Sequence, residues 1–138
     1  MQMVATKPLQ TVFLVDDNEV DLFVQRRFIE MKKFASTIVT FSSSSKALEA
    51  LTNNPSNVPG ILFLDLNMPM VNGFEFLEQV REVSQDLFNR LRVVMLTSSN
   101  SQSDRDRAFS FSNVVHFIPK PLTAQGLDEL LNKLDSGN

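Results

Sequence analysis

The sequence predicts an α/β protein built on a doubly wound parallel sheet. Five short apolar runs alternate along the chain with segments of helical periodicity. Each run is short and rich in Val, Ile, Leu and Phe, as expected for strands that are buried on both faces. Because parallel strands are joined by right-handed crossovers, the five helices predicted here must cover both faces of the sheet.

The first half of the chain is predicted to contain two strands and two helices. Residues 1–10 form a loose lead-in, and one domain covers residues 11–138. The strands are predicted at 11–15 and 36–41, and the helices at 19–32 and from the serines 42–45 onward. Asn18 or Asp17 caps the first of these helices. That helix is expected to bury an apolar stripe made of Val20, Phe23, Val24, Phe28 and Met31.

The second half repeats the alternation after a loop rich in Pro and Asn. Strands are predicted at 61–65, at 92–96 with Thr97 at its end, and at 114–118. In the turn after the strand 61–65, Gly73 is expected to take a positive φ. Helices are predicted at 74–83, 101–110 and 124–134, and the connection 84–91 has room for one extra helical turn over 86–89. The last helix should bury Leu127, Leu130, Leu131 and Leu134.

Composition excludes several classes of protein. The chain has 138 residues, which fits a single domain. A net charge of −3 with no basic patch argues against direct nucleic-acid binding. The chain has no Cys and one His, which excludes disulfides, thiolate chemistry and multi-histidine metal sites. No apolar run approaches the roughly 20 residues that span a bilayer, and the N-terminus has no signal-peptide core. We therefore expect a cytoplasmic protein without a membrane partner.

Polar side chains follow four of the predicted strands at their carboxyl ends. Asp16 and Asp17 follow the first strand, Asp65 and Thr97 end two others, and Lys120 comes just after the last. In open α/β sheets this edge carries the functional site. Two carboxylates about 4 Å apart repel by roughly 4 kcal/mol at an effective dielectric of 20, so three of them call for a cation. Three carboxylates, one ammonium and Mg²⁺ sum to zero charge, which predicts a metal-assisted phosphoryl site with Asp65 as acceptor.

Four sequence segments resemble the receiver domain of two-component response regulators. They are VDDN at 15–18, FLDLNMPMVNG at 63–73, MLTSS at 95–99 and FIPKP at 117–121. The resemblance implies a flavodoxin-like sheet with strand order 2-1-3-4-5. It also implies phosphorelay signalling, in which a sensor histidine kinase or a phosphotransfer protein phosphorylates one aspartate and a docking surface for a downstream protein changes. No output module follows the last helix, so a stand-alone receiver is expected.

The acidic residues receive roles in this comparison. Asp65 is the expected phosphoacceptor, because a carboxylate nucleophile forms an acyl phosphate. Asp17 is expected to bind Mg²⁺ directly, with Mn²⁺ as an alternative, and Asp16 to bind it directly or through water. The resemblance implies that the backbone carbonyl of Asn67 supplies a further ligand. The structural alternative for Asp16 and Asp17 is capping of the following helix and charge complementarity to its dipole.

The remaining site residues are expected to respond to the phosphoryl group. Lys120 can contact the acceptor carboxylate and later a phosphoryl oxygen, and the resemblance implies a cis peptide bond to Pro121. Thr97 offers a hydroxyl to the phosphoryl group, and Phe117 matches the family's switching aromatic. Plain core packing of Phe117 is an equally good interpretation. A further hypothesis is that Asn67 and Ser99 control how fast water reaches the acyl phosphate.

Two other functions are compatible with this sequence. One is a haloacid-dehalogenase-type phosphatase, which requires a D-x-D arrangement after the first strand, whereas this chain has Asp16-Asp17-Asn18. The other is a docking domain that has the same fold and is never phosphorylated. A receiver is not an enzyme with external turnover: it catalyses only its own phosphotransfer and slow dephosphorylation. Sustained turnover of phosphate esters would indicate the phosphatase, and failure to bind metal would indicate the docking domain.

Overall fold

A five-stranded parallel sheet lies at the centre of the computed structural model, which describes residues 9–98 and 101–136. The strand order is β2-β1-β3-β4-β5, and every neighbouring pair is parallel, which confirms the predicted fold class and strand order. The strands are β1 (Leu9–Val15), β2 (Ala35–Phe41), β3 (Ile61–Asp65), β4 (Val93–Thr97) and β5 (Val114–Pro119).

Six helices occur in the described part of the chain, where the sequence predicted five. They are α1 (Glu19–Met31), α2 (Ser44–Asn53), α3 (Gly73–Val83), α4 (Gln85–Arg90), α5 (Gln102–Ser110) and α6 (Ala124–Ser136). The additional helix is α4, which is longer than the single turn expected there.

Ser84 explains why two helices follow each other directly. Its backbone N–H donates to the Val80 carbonyl at 3.0 Å and ends α3. Its side-chain oxygen accepts from the Leu87 N–H at 3.1 Å and caps α4. Leu87 and Phe88 are both buried, so α4 is stabilised by core packing as well as by its cap.

The helices divide between the two faces of the sheet because alternate strand residues point to opposite sides. Helices α1 and α6 pack on one face, and α2, α3, α4 and α5 pack on the other. In β1, Val12 and Leu14 face the first layer, whereas Phe13 and Val15 face the second. The expected stripe of α6 is confirmed, since Leu127 and Leu130 are buried in the first layer and Leu131 and Leu134 are partly buried against it.

Most strand bounds agree with the sequence to within one residue, but β1 begins earlier than expected. Leu9 pairs with Ala35 in the β1–β2 register, so residues 9 and 10 belong to the sheet and not to a loose lead-in. The rest of the predicted lead-in, residues 1–8, lies outside the described residues.

The predicted apolar stripe of α1 is wrong at three of its five positions, whereas Phe28 is partly buried against the core. The exposed fractions of Val20, Phe23 and Met31 are 70%, 64% and 64%, and the buried residues of α1 are Leu22, Gln25 and Ile29. The spacing of these three residues is also helical. Because the polar residue Gln25 lies in the middle of the inward face, a search for apolar periodicity does not find this face.

Gly73 does not take the positive φ that the sequence predicted. The left-handed residue of this turn is Met70, with φ 71°. Gly73 is required for a different reason: a Cβ there would lie 3.0 Å from the Asp65 carbonyl oxygen and 3.1 Å from the Leu66 Cα. The missing side chain lets α3 begin directly against the end of β3.

Candidate functional site

The carboxyl ends of β1 and β3 bring three carboxylates together, as predicted. Asp16, Asp17 and Asp65 each place one carboxylate oxygen within 4.8 Å of the others. Their proximity follows from strand order, because β1 and β3 are direct neighbours and Val15 lies opposite Leu64. Asp16 and Asp65 are buried, whereas Asp17 is exposed, so the group opens to solvent on one side.

Asp16 is held in place by donors from the chain itself. Its Oδ1 accepts from the Asn18 N–H at 2.9 Å, and its Oδ2 accepts from the Gln25 side-chain amide at 3.0 Å. The cap of α1 is made by Asn18, whose side chain accepts from the Asp21 N–H at 3.0 Å. Since Asn18 makes this cap, helix capping does not account for the acidic pair Asp16 and Asp17.

Lys120 reaches the carboxylates from the end of β5. Its backbone N–H donates to the Thr97 carbonyl at 2.8 Å, and its peptide bond to Pro121 is cis, as the resemblance implied. The ammonium nitrogen lies 2.8 Å from Asp16 Oδ2, 2.8 Å from Asp21 Oδ2 and 3.2 Å from Asp65 Oδ1. An ammonium has three donor hydrogens, so these three carboxylates match its full donor capacity.

The electrostatics of the site change the proton affinity of two groups. Burial and the negative charge of Asp16 raise the pKa of Asp65 to about 6, against the lowering effect of Lys120 and the Asn67 N–H. Burial by itself lowers the pKa of Lys120, but hydrogen bonds to Asp16 and Asp21 and the charge of Asp65 keep this pKa above its ordinary value. Lys120 is therefore charged at neutral pH.

Thr97 and Asn67 lie beside Asp65. The Thr97 hydroxyl is fully buried and accepts from the Asn67 side-chain amide at 3.1 Å. The Asn67 backbone N–H donates to Asp65 Oδ1 at 3.2 Å. One asparagine thus connects the end of β4 with the Asp65 carboxylate. The hypothesis about Ser99 concerns a position outside the described residues.

Phe117 lies on β5, which is paired with β4. Its ring is 5% exposed and lies beneath the Arg105 guanidinium, whose carbon is 4.8 Å from the ring centroid. The Phe109 ring is 6.4 Å away, centroid to centroid. These contacts connect Phe117 to α5, whose only buried residue is Ala108.

Two residues of the site were missed from the sequence: Asp21, which contacts Lys120, and Gln25, which contacts Asp16. Both lie on α1, and the positions 17, 21 and 25 are spaced by four. Residues four apart share one face of a helix, so this polar series was a signal that α1 turns a polar face toward the acidic group. The search for apolar residues overlooked it.

The donor set fits a hard divalent cation. Carboxylate oxygens are the ligands that Mg²⁺ prefers, and Mg²⁺ retains several waters, which suits a group open on one side. Asp16, Asp17, Asp21 and Asp65 carry four negative charges against the single positive charge of Lys120. A divalent cation would offset most of this excess.

Comparison with known proteins identifies the class. A family model described as "response regulator receiver domain" matches residues 12–132. The two-component response regulator ORR3 of Oryza sativa subsp. japonica is 31% identical over 128 residues, which cover 93% of this chain and 92% of that protein. The crystal structure of a two-component response regulator from Cytophaga hutchinsonii superposes with a TM-score of 0.85 at 29% identity and covers 93% of this chain and 98% of that one.

The chain belongs to the response regulator receiver domain family, and its function is signal transduction in a two-component phosphorelay. Receiver domains work with histidine kinases and phosphotransfer proteins and are signalling domains, which decides against the phosphatase alternative. A match to a hybrid signal transduction histidine kinase of Dictyostelium discoideum, 30% identical over 126 residues, spans 88% of this chain but 10% of that protein. No helix within the described residues has the length and apolar character needed to cross a membrane.

Proposed function

We propose that this receiver domain accepts a phosphoryl group on Asp65 with the help of a divalent cation, and that the modified site changes a surface to which a downstream protein docks. The observation that carries the proposal is the convergence of Asp16, Asp17 and Asp65 within 4.8 Å, with Lys120 in contact with two of them. A group of three carboxylates is unfavourable unless positive charge lies close to it, and positive charge is also what an incoming phosphoryl group requires.

The cation would be held by Asp17, Asp16, Asp65 and the backbone carbonyl of Asn67. Mg²⁺ is the preferred ion, and Mn²⁺ can replace it, because all four ligands are oxygens. When bound, the cation supplies charge neutralisation for the phosphoryl oxygens. Asp17 is the exposed member of the group and is therefore the most accessible to a hydrated ion.

In the transfer itself, a carboxylate oxygen of Asp65 attacks the phosphorus of the donor. The new P–O bond to Asp65 forms as the bond to the leaving group breaks, which is imidazole for a phosphohistidine and acetate for acetyl phosphate. Asp65 must be ionised to attack, and Lys120 favours that form. The Lys120 ammonium, 3.2 Å from Asp65, is close enough to contact an oxygen of the transferred group.

The readout would begin at Thr97. A new group with a charge of about −1.5 to −2 beside this residue attracts its hydroxyl, which at present accepts a bond from Asn67. Movement of Thr97 changes the packing beneath Phe117, and Phe117 contacts Arg105 and Phe109 of α5. The surface formed by α5, β5 and α6 would therefore change population on phosphorylation.

The test is intact-mass measurement after incubation with acetyl phosphate. The wild type should gain the mass of one phosphoryl group with Mg²⁺ and lose that gain when the metal is chelated. Asp65→Asn should gain nothing. Asp86→Asn is a matched control, since the Asp86 side chain is 82% exposed and lies on α4, and it should be labelled like the wild type.

Two results would refute the assignment. Equal labelling of Asp65→Asn and wild type would show that another residue accepts the group. Failure of the wild type both to bind Mg²⁺ and to become labelled would favour the alternative that this domain docks without being phosphorylated.

A further inference from the structure

Asp21 is a carboxylate that contacts the site without belonging to the group of three. It lies in the first turn of α1, and its Oδ2 is 2.8 Å from the Lys120 ammonium. The side chain of Asp21 is 38% exposed, whereas those of Asp16 and Asp65 are 1% and 4% exposed. Asp21 is thus the solvent-side partner of Lys120.

The ammonium and a cation would compete for the same oxygens. Lys120 contacts Asp16 Oδ2 at 2.8 Å and Asp65 Oδ1 at 3.2 Å, and both residues belong to the acidic group. An ammonium bound to these oxygens repels a divalent ion and occupies their lone pairs. The affinity of the site for a cation therefore depends on how strongly another group binds the Lys120 ammonium.

Asp21 is positioned to be that other group, because it forms an ion pair with the ammonium. Its contact with the ammonium, at 2.8 Å, equals that of Asp16, is shorter than that of Asp65, and comes from the α1 side of the site. A small cleft of about 40 Å³ lies on the same side, and Lys120 forms part of its lining. The cleft is lined by Asp21, Val24, Gln25, Lys120, Pro121 and Leu122.

We propose that Asp21 is a positioning residue that draws the Lys120 ammonium toward α1 and so leaves the oxygens of Asp16 and Asp65 to the divalent cation. This inference rests on the proposed function, because it assumes that the acidic group binds a cation. Asp21 itself is neither a ligand nor an acceptor: it acts through Lys120.

Calorimetric titration of the unphosphorylated protein with Mg²⁺ tests the inference, because the chain has no Trp to report binding by fluorescence. Asp21→Asn removes the charge and retains an oxygen acceptor. The matched control is Glu19→Gln, which removes one negative charge from the same first turn of α1. We expect Asp21→Asn to bind Mg²⁺ at least about threefold more weakly than Glu19→Gln, as contacting charged residues are typically coupled.

A second pair of variants isolates the route through the lysine. In a Lys120→Met background the ammonium is gone, so adding Asp21→Asn or Glu19→Gln should change the Mg²⁺ affinity equally. A purely structural role of Asp21 would lower the thermal unfolding midpoint without producing this dependence on Lys120. If the Lys120→Met protein does not fold, Lys120→Gln, which also removes the ammonium, provides the same background.

The possible results separate the two proposals. Equal Mg²⁺ affinity of Asp21→Asn and Glu19→Gln overturns the inference alone, provided that the wild type binds Mg²⁺ and is labelled by acetyl phosphate. An undiminished effect of Asp21→Asn in the Lys120→Met background also overturns it, since the charge would then act without the lysine. Absence of both Mg²⁺ binding and labelling in the wild type overturns the proposed function together with the inference.

Discussion

Asp65 is a buried carboxylate whose pKa is raised, and this has a direct consequence for stability. Desolvation and the nearby charge of Asp16 raise the pKa of Asp65 from its ordinary value of 3.8 to about 6. Between these two values the folded protein binds more protons at Asp65 than the unfolded chain does. Stability contributed by this group is therefore present at low pH and is lost as the pH rises through this window.

We predict that Asp65→Asn stabilises the metal-free protein at pH 7, because the amide cannot ionise. After allowance for screening, the expected gain is on the order of 1 kcal/mol, or about 3 °C in Tm for a domain of this size. Thermal unfolding in a chelating buffer measures it. The gain should shrink toward pH 4, where Asp65 of the wild type is largely protonated.

The exposed Asp86→Asn variant provides the reference for the effect of a lost surface charge, and its Tm should change little at either pH. A lower Tm for Asp65→Asn than for the wild type at pH 7 would contradict the prediction. It would show that the contact with Lys120 outweighs the cost of burying the charge.

At the scale of elements, α5 is the helix most dependent on surface contacts. Ala108 is its only buried residue, and its other links to the sheet include Arg105 over the Phe117 ring and Phe109 beside it. Because Arg105 is exposed, its contact with the Phe117 ring is expected to contribute about 0.5–1 kcal/mol. A helix with so little burial is a suitable element for a population shift, because its opening free energy is low.

We predict that Arg105→Ala speeds hydrogen exchange of the α5 amides by about two- to fivefold, the factor that corresponds to the loss of one such contact. Ser103→Ala is the control, since Ser103 is an exposed residue of the same helix. Alanine favours helix formation in both variants, so propensity alone would slow exchange. Equal exchange in Arg105→Ala and Ser103→Ala would show that the guanidinium does not hold α5 to β5.

At the scale of the whole molecule, the site connects the carboxyl ends of strands that belong to one sheet. A cation that binds only the folded state raises the free energy of unfolding by RT ln(1 + [L]/Kd), which is about 1.4 kcal/mol at ten times the Kd. The unfolded chain cannot assemble Asp16 and Asp65, which lie 49 positions apart, at a comparable cost.

We predict that Mg²⁺ at ten times its Kd raises the Tm of the wild type by about 4 °C. Asp17→Asn should lose most of this increase while keeping the metal-free Tm close to that of the wild type, because Asp17 is exposed. Differential scanning calorimetry with and without Mg²⁺ measures both values. If Mg²⁺ raised the Tm of Asp17→Asn as much as that of the wild type, Asp17 would be excluded as a ligand. Glu19→Gln is the control for the loss of one negative charge.

The residue types of short segments determined the strands of this protein and the polar residues that lie at their ends. The apolar runs are strands because their residues favour a sheet buried on both faces. Polar residues at their ends then meet at one edge, since parallel strands must point the same way. This reasoning placed Asp16, Asp17, Asp65 and Lys120 together. The structure brings the three carboxylates within 4.8 Å of one another and Lys120 into contact with Asp16 and Asp65.

Tertiary packing decided the rest, because it depends on distances that periodicity does not contain. Asp21 and Gln25 belong to the site because the orientation of α1 brings them to Lys120 and Asp16. The sequence predicted instead that Val20 and Phe23 would face the core, and both are exposed. Gly73 is required because α3 begins close to the end of β3. Helix α4 is stabilised because Leu87 and Phe88 are buried in the core. Each of these depends on which surfaces meet, which is set by the whole fold and not by any one segment.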